Sequence, residues 1–521
     1  MSRVLIRNVS VLVVPEEGEC RVDEAQDIYV QDDRIVAITP TGAPGAHDAT
    51  GAPDARGAQD TRGAQGARGA QDATGTPDAR GAEGARGAQD VSRAPGARGA
   101  EGARGAQDAS RAPGAPGALG ASEPPGEVID GGGLLAVPGL VNSHTHSPMV
   151  MMRGAAEDLA IEDWFNRRIW PMEVNLTAER VRVGARLACA EMLLGGVTTF
   201  VDHYFHADQI AAAAIESGIR ADLAPTFFSS AGQDAIDAAF ETTRDLSTRH
   251  PRITASLGPH ATYTVTDEDL RRTAGRARAD GRRIHLHASE TEDQTRASLE
   301  KHGVTPIQVL EQTGVLEAGA LIAHGCGIRE EDLPILERYA DRTTVASCPK
   351  VYLKLAMGEV TPIKGLRSVG VDVGIGTDGA AVHNTLDVWE AIRMVALTQK
   401  QREHDAEWMT LSDTLRFATR GSAAAAGLKD QIGVLEPGRQ ADIALVDLSA
   451  PHNQPIHDAR AALVYSVRAS DVVTVLVAGQ VVVRDRQLTT MDLTEVLAEA
   501  KDLAHTLVDL SQGGAVQHYA P

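Results

Sequence analysis

Aromatic side chains make up only 3% of this 521-residue chain, so its interior has to be built from Val, Leu, Ile and Ala rather than from stacked rings. Basic residues are also scarce: 50 Lys and Arg against 71 Asp and Glu leave a formal charge of -21. A surface of that sign argues against nucleic acid as a partner, because phosphates are bound by a basic face that releases counterions. No apolar run reaches the roughly 20 residues needed to cross a bilayer, and the opening MSRVLIRNVSVLVV alternates like a strand with no signal-peptide layout. The expectation is a cytoplasmic protein with no membrane association and a small-molecule substrate. Four cysteines, Cys20, Cys189, Cys326 and Cys348, lack CxxC spacing, which excludes a disulfide framework or a cysteine zinc knuckle and leaves buried thiols.

Large apolar residues are nearly missing from residues 42–125, which consist mainly of Gly, Ala, Arg, Asp, Gln and Pro. The heptapeptide GARGAQD begins at Gly66, Gly84 and Gly102, an 18-residue unit repeated without drift. A solenoid needs an apolar position in each unit to stack on its neighbour, and these units offer nothing larger than Ala or Val. The segment is therefore expected to be a disordered insertion, since it cannot bury enough apolar surface to offset its ordering entropy.

Elsewhere the chain is rich in pattern. From Leu140 to about Gly379, eight apolar runs (LVNSHTH, VTTFVDHY, IRADLAPTFF, ITASLGPHA, RRIHLHAS, GALIAHG, TTVASCP and VDVGIGTDG) alternate with amphipathic stretches such as AERVRVGARLACAEMLLGG. This rhythm predicts a (β/α)8 TIM-like barrel over residues 126–430. A doubly wound open sheet would carry a Gly-rich phosphate loop after its first strand, and none is present. Short alternating strands in residues 1–41 and 431–490 predict a small flanking β-sandwich formed by both chain ends, with a helix and tail over 491–521.

Residues at the C-terminal ends of barrel strands converge on one mouth. Those ends carry His144, His146, His260, His287, His324 and Asp378. Taken singly, each reads as an ordinary hydrogen-bonded strand end, and the HTH of His144 and His146 as two loop histidines. Together they outline a mononuclear site of three imidazoles and one carboxylate with an open position for water. Glu290, three residues beyond His287, is near enough to take a proton from that water and return it to a leaving group.

The motifs PGLVNSHTH, HLHASET, LIAHG and GIGTDGAA resemble, in order and spacing, those of the amidohydrolase superfamily. HSPMVMMRGAAEDLAIEDW is similar to the branch of S-adenosylhomocysteine and methylthioadenosine deaminases, which also holds triazine chlorohydrolases. The resemblance implies that His144, His146, His287 and Asp378 bind one divalent metal, zinc or in some relatives Fe2+. It makes Glu290 the proton carrier and His324 the group that orients the attacking water, while Asp378 helps to deprotonate it. It also places Trp164, Glu173 and His260 against the substrate, and implies a homo-oligomer. The implied reaction is hydrolytic deamination of an adenosine-like nucleoside; the alternative is an aminohydrolase or chlorohydrolase of another ring, of triazine, guanine, cytosine or pterin type. Binuclear ring-opening relatives would need a bridging lysine on the fourth strand, which ITASLGPHA lacks. A non-catalytic interaction protein is disfavoured because every expected ligand is present. Three positions depart from the pattern: Pro225 where homocysteine-binding relatives offer an arginine, Val382 (followed by His383) where a serine is usual, and Tyr352 for the asparagine of SNLKL.

Overall fold

The structure, a computed structural model, describes residues 2–43 and 126–520; segment 44–125, with the repeats and the expected disorder, lies outside the described residues. The chain opens with strands β1 (Arg3–Val13), β2 (Arg21–Gln31) and β3 (Arg34–Pro40), then resumes with β4 (Glu127–Asp130) and β5 (Leu134–Pro138). Nine strands follow in the central part: β6 (Leu140–Thr145), β7 (Val197–Tyr204), β8 (Arg220–Phe227), β9 (Ile253–Ala255), β10 (Gly258–Pro259), β11 (Ile284–Ala288), β12 (Ala320–His324), β13 (Thr343–Ser347) and β14 (Asp372–Ile375). Near the far end come β15 (Ile443–Asp447), β16 (Val472–Val477), β17 (Gln480–Arg484), β18 (Gln487–Leu488) and a helix, Leu493–Leu507.

The two chain ends share one sheet, ordered β18-β17-β16-β15-β5-β1-β2-β3 with β4 beside β1. It curls back on itself, because Ile35 N–H on β3 donates to Arg439 O just ahead of β15 at 2.9 Å. Inside the curl, Ile6, Val9, Ile28, Ile35, Ile443, Leu445 and Leu476 form a core of their own, supplied by the alternating strands of both ends.

The central strands are parallel and buried on both faces, which is why they read as continuous apolar runs. Hydrogen bonding links β6 to β10 in one sheet and β11 to β14 in another. The fourth run is interrupted at Ser256–Leu257 rather than continuous. It still serves both neighbours: Ser256 N–H donates to Leu223 O on β8, and Leu257 N–H to Arg283 O ahead of β11. At the opposite seam, Asp378 N–H donates to His144 O at 2.9 Å. That approach requires glycine at 376, where a Cβ would lie 2.9 Å from His144 N. A buried ion pair, Arg220 with Asp442 at 3.1 Å, ties the central strands to the flanking sheet.

Candidate active site

The strands deliver the polar residues to one place. His144 and His146 are two apart on and just past β6, so they share a face. Nitrogens of His144, His146 and His287 lie within 4.8 Å of one another, and the ligand atoms of His144, His324 and Asp378 form a second such group. Asp378 Oδ1 is 3.2 Å from His146 Nε2 and 3.7 Å from His144 Nε2. Two of these residues hold left-handed backbone, His324 at φ 74° and Asp378 at φ 64°, a conformation that costs non-glycine residues energy.

Each imidazole of the first group is aimed by a bond on its far side. His146 Nδ1–H donates to His203 O at 2.6 Å and His287 Nδ1–H to His260 O at 2.8 Å, while His144 Nδ1 bonds His285 Nε2 at 2.9 Å. All three therefore turn Nε2 inward, the arrangement by which outer partners fix a metal-binding tautomer. His144 Nε2 is buried without any hydrogen-bond partner, a cost that a cation at this point would remove. The donor set fits a divalent metal.

Electrostatics agree. Burial, helped by the neighbouring imidazoles, holds His144 and His287 well below the usual histidine range, hence neutral and able to donate a lone pair. His146 differs: burial opposes its charge, yet contact with Asp378 raises it to about 9. The same imidazoles hold Asp378 below the carboxylate range, against its burial. This is a pocket that attracts positive charge at the point where His146 and Asp378 meet.

The sequence-predicted residues come together here. His146, Trp164, Glu173, His260, His287, Glu290, His324 and Asp378 all line one pocket, with His144 behind it. His324 Nε2 lies 3.8 Å from Glu290 Oε1 and 4.0 Å from Asp378 Oδ2, between the two carboxylates. His260 is held by Thr264 Oγ1 at 2.9 Å, and burial lowers it to about 3, so it is neutral. Glu173 accepts from Tyr204 Oη at 2.8 Å, and burial lifts it to about 7. Trp164 Nε1 is buried with no partner. Both Trp164 and Glu173 sit on a helical segment, 161–173, that widens into a π turn at Phe165–Ile169. Pro171 has no N–H to give, and Trp170 N–H reaches back five residues to Phe165 O, which widens the turn.

Of the three departures, Val382 lines the pocket, and VYLKL, which stands for SNLKL, reaches it through Val351 and not through Tyr352. Tyr352 stands behind His324, its hydroxyl accepting from Cys348 N–H at 2.6 Å and lying 3.1 Å from Thr361 Oγ1. Pro225 is buried in β8, and the residues that β8 and its end turn to the pocket are Thr226 and Phe228. Sequence reasoning missed His285, His203, Tyr204 and Gln294. His285 had a signal, since HLH repeats the HTH spacing and sets two imidazoles on one strand face; Gln294 had none.

Fold and donor set together define a metal-binding α/β-barrel site. The chain belongs to the amidohydrolase family, whose model matches residues 135–482. It is 41% identical to the 5-methylthioadenosine/S-adenosylhomocysteine deaminase of Pelotomaculum thermopropionicum over 74% of this chain and 89% of that one. It is 38% identical to the protein of the same name in Natronomonas pharaonis, over 74% and 90%. Among solved structures it resembles a zinc-bound adenosine deaminase of Xanthomonas campestris at 28% identity and TM-score 0.78, covering 97% of this chain and 98% of that one. It shares the fold of the zinc-complexed atrazine chlorohydrolase of Arthrobacter aurescens, at 23% identity, TM-score 0.72 and coverage of 96% and 100%. These likenesses give the fold as a barrel with a flanking β-domain. No described helix is long and apolar enough to cross a membrane.

Proposed function

We propose that this protein is a metal-dependent hydrolase that removes the amino group of an adenosine-like nucleoside as ammonia. The observation that carries this reading is the pairing, in one pocket, of a histidine–aspartate metal cage with a buried, acceptor-bearing Glu173 on the helical segment 161–173, in a chain 38–41% identical to named deaminases of such nucleosides.

His144, His146, His287 and Asp378 would hold the metal, zinc by the chemistry of three imidazoles and one carboxylate. Bound there, it supplies a water acidified towards neutral pH and ready to attack. The remaining work falls to side chains. Glu290 accepts one proton of the water and delivers it to the ring nitrogen beside the amino-bearing carbon; the second proton, from the hydroxyl that addition leaves on that carbon, goes to the amino group, which departs as ammonia when the C–N bond breaks and the carbonyl forms. His324, between Glu290 and Asp378, hydrogen-bonds the added oxygen. Trp164 covers the ring and offers its unpaired Nε1–H, neutral His260 contacts the base, and Glu173 accepts from the ribose hydroxyls.

Phe205 and Phe228 line the pocket and among the described residues no lysine or arginine does, so the surface offered to a 5′ substituent is apolar. An amino-acid carboxylate would be left without a cation there, so methylthioadenosine and 5′-deoxyadenosine fit better than S-adenosylhomocysteine. The reading of a different ring, a triazine or guanine type, draws on Val382 and Val351, since Tyr352 lies outside the pocket. An ammonia-release assay over methylthioadenosine, 5′-deoxyadenosine, adenosine, S-adenosylhomocysteine, guanine, pterins and aminotriazines tests both: turnover of adenosine compounds supports the first, and turnover of only non-nucleoside rings replaces it with the second.

A further inference from the structure

The segment after the last helix returns to the site. Asn175 Nδ2 donates to Leu507 O at 3.0 Å and to Asp509 O at 2.6 Å, Val516 N–H donates to Trp170 O at 3.2 Å, and Gln517 Nε2 donates to Ser230 Oγ at 3.0 Å. Asn166 then grips Tyr519 in both directions: its Oδ1 accepts from Tyr519 N–H at 2.7 Å and its Nδ2 donates to Tyr519 O at 3.1 Å. Residues 516–520 thus lie along the π-turn segment that carries Trp164 and Glu173.

Tyr519 is 3% exposed and makes two kinds of contact. Its ring stacks on Phe165 at 5.1 Å between centroids and 12° between planes, and meets Tyr263 edge-on at 5.4 Å. Phe165 and Tyr263 both line the pocket, so Tyr519 backs its aromatic wall. Its hydroxyl takes a hydrogen bond from Gln294 Nε2 at 3.3 Å, and the same nitrogen donates to Glu290 Oε2 at 3.0 Å. Gln294 Oε1 accepts from Glu290 N–H at 3.1 Å. Both N–H bonds of the Gln294 amide are thereby committed, one to Glu290 and one to Tyr519, and its oxygen holds the Glu290 backbone.

We propose that Tyr519 is a positioning residue for this reaction, joining the substrate-binding wall to the proton-carrying carboxylate through Phe165 on one side and Gln294 on the other. The proposal rests on the roles given above to Glu290 and to the 161–173 segment. Its ring sets substrate affinity, and its hydroxyl, by way of Gln294, sets the orientation of Glu290 and hence turnover.

Steady-state kinetics of Tyr519→Phe, Tyr519→Ala, Gln294→Ala and the Tyr519→Phe/Gln294→Ala double variant test it, each with a melting curve. Tyr519→Phe keeps the ring and is expected to hold KM near wild type while kcat falls about 3- to 10-fold, the worth of one ordinary hydrogen bond. Tyr519→Ala should add a KM rise of about 10-fold, from the lost aromatic contacts. The double variant should turn over no more slowly than Gln294→Ala alone, because both changes cut one chain of bonds. Melting losses with kcat and KM unchanged in both Tyr519 variants, or multiplying kcat losses in the double variant, would overturn it. If wild type deaminates a ring other than adenosine's, the proposed function fails, and the same comparison on that ring still decides the role of Tyr519.

Discussion

The two walls of the pocket are built by opposite means. The metal wall stands on strand ends, with each inward imidazole locked by a bond to a carbonyl or to a second histidine. The substrate wall stands on a π-turn segment braced by residues more than 300 positions later, and it keeps an unpaired donor, Trp164 Nε1, and a carboxyl lifted by burial, Glu173. On the proposed function, the strands would fix the geometry of the reacting atoms, while the irregular segment would carry the groups that choose the substrate. The chemistry should therefore fail abruptly when the first wall is damaged, and selectivity should shift by degrees when the second is.

The contrast breaks most sharply at the metal. Asp378→Ala, or removal of the metal by a chelator, is expected to lower kcat below about one thousandth of wild type. Metal analysis of the variant checks it: activity lost together with bound metal is the expected result. Glu290→Gln comes next, with kcat down about 100- to 10,000-fold while one metal per chain is retained, because the proton carrier goes and the cage stays.

The substrate wall should respond more mildly. Glu173→Gln is expected to raise KM for a nucleoside about 10- to 100-fold, as a charged acceptor becomes a neutral one. Its pH dependence sharpens the point. With Glu173 raised to about 7, the accepting carboxylate forms only above that pH, so wild-type kcat/KM should rise through about pH 7 with one more titrating group, hence more steeply, than that of Glu173→Gln, in which only the acidified water titrates.

The smallest effect is on stability. The folded state keeps the Glu173 proton up to about pH 7, whereas the unfolded chain releases it near the ordinary value of 4.5. Between those values wild type loses stability as pH rises, and the glutamine variant does not. Glu173→Gln should therefore melt higher than wild type at pH 8 and alongside it at pH 4, as read by scanning calorimetry.

The same division governs what could be read from the amino acids alone. The metal wall was legible because strand periodicity is strict: HTH puts two imidazoles on one face, and the first, fourth, fifth, sixth and eighth runs carry a histidine or aspartate at their ends. The shared sheet of the two chain ends was legible from its alternating strands, while the break in the fourth strand was not, because backbone hydrogen bonds can alternate between neighbours without a regular ladder. The substrate wall was only half legible. Trp164 and Glu173 came from resemblance to a family motif, and Tyr352 looked like a pocket residue until the fold placed it behind His324. Gln294 and Tyr519 could not be found, since their contacts depend on how distant segments pack, and neither stands in a repeating pattern.

The central claim is that one wall performs the reaction and the other selects the nucleoside. Ammonia-release kinetics of Glu173→Gln beside wild type, on 5′-methylthioadenosine and on adenine, test it most directly. The expected result is a kcat/KM for the nucleoside that falls about 10- to 100-fold while the slower reaction of the bare base is unchanged. An equal fall on both substrates, or no turnover of 5′-methylthioadenosine by the metal-loaded wild type, would contradict it.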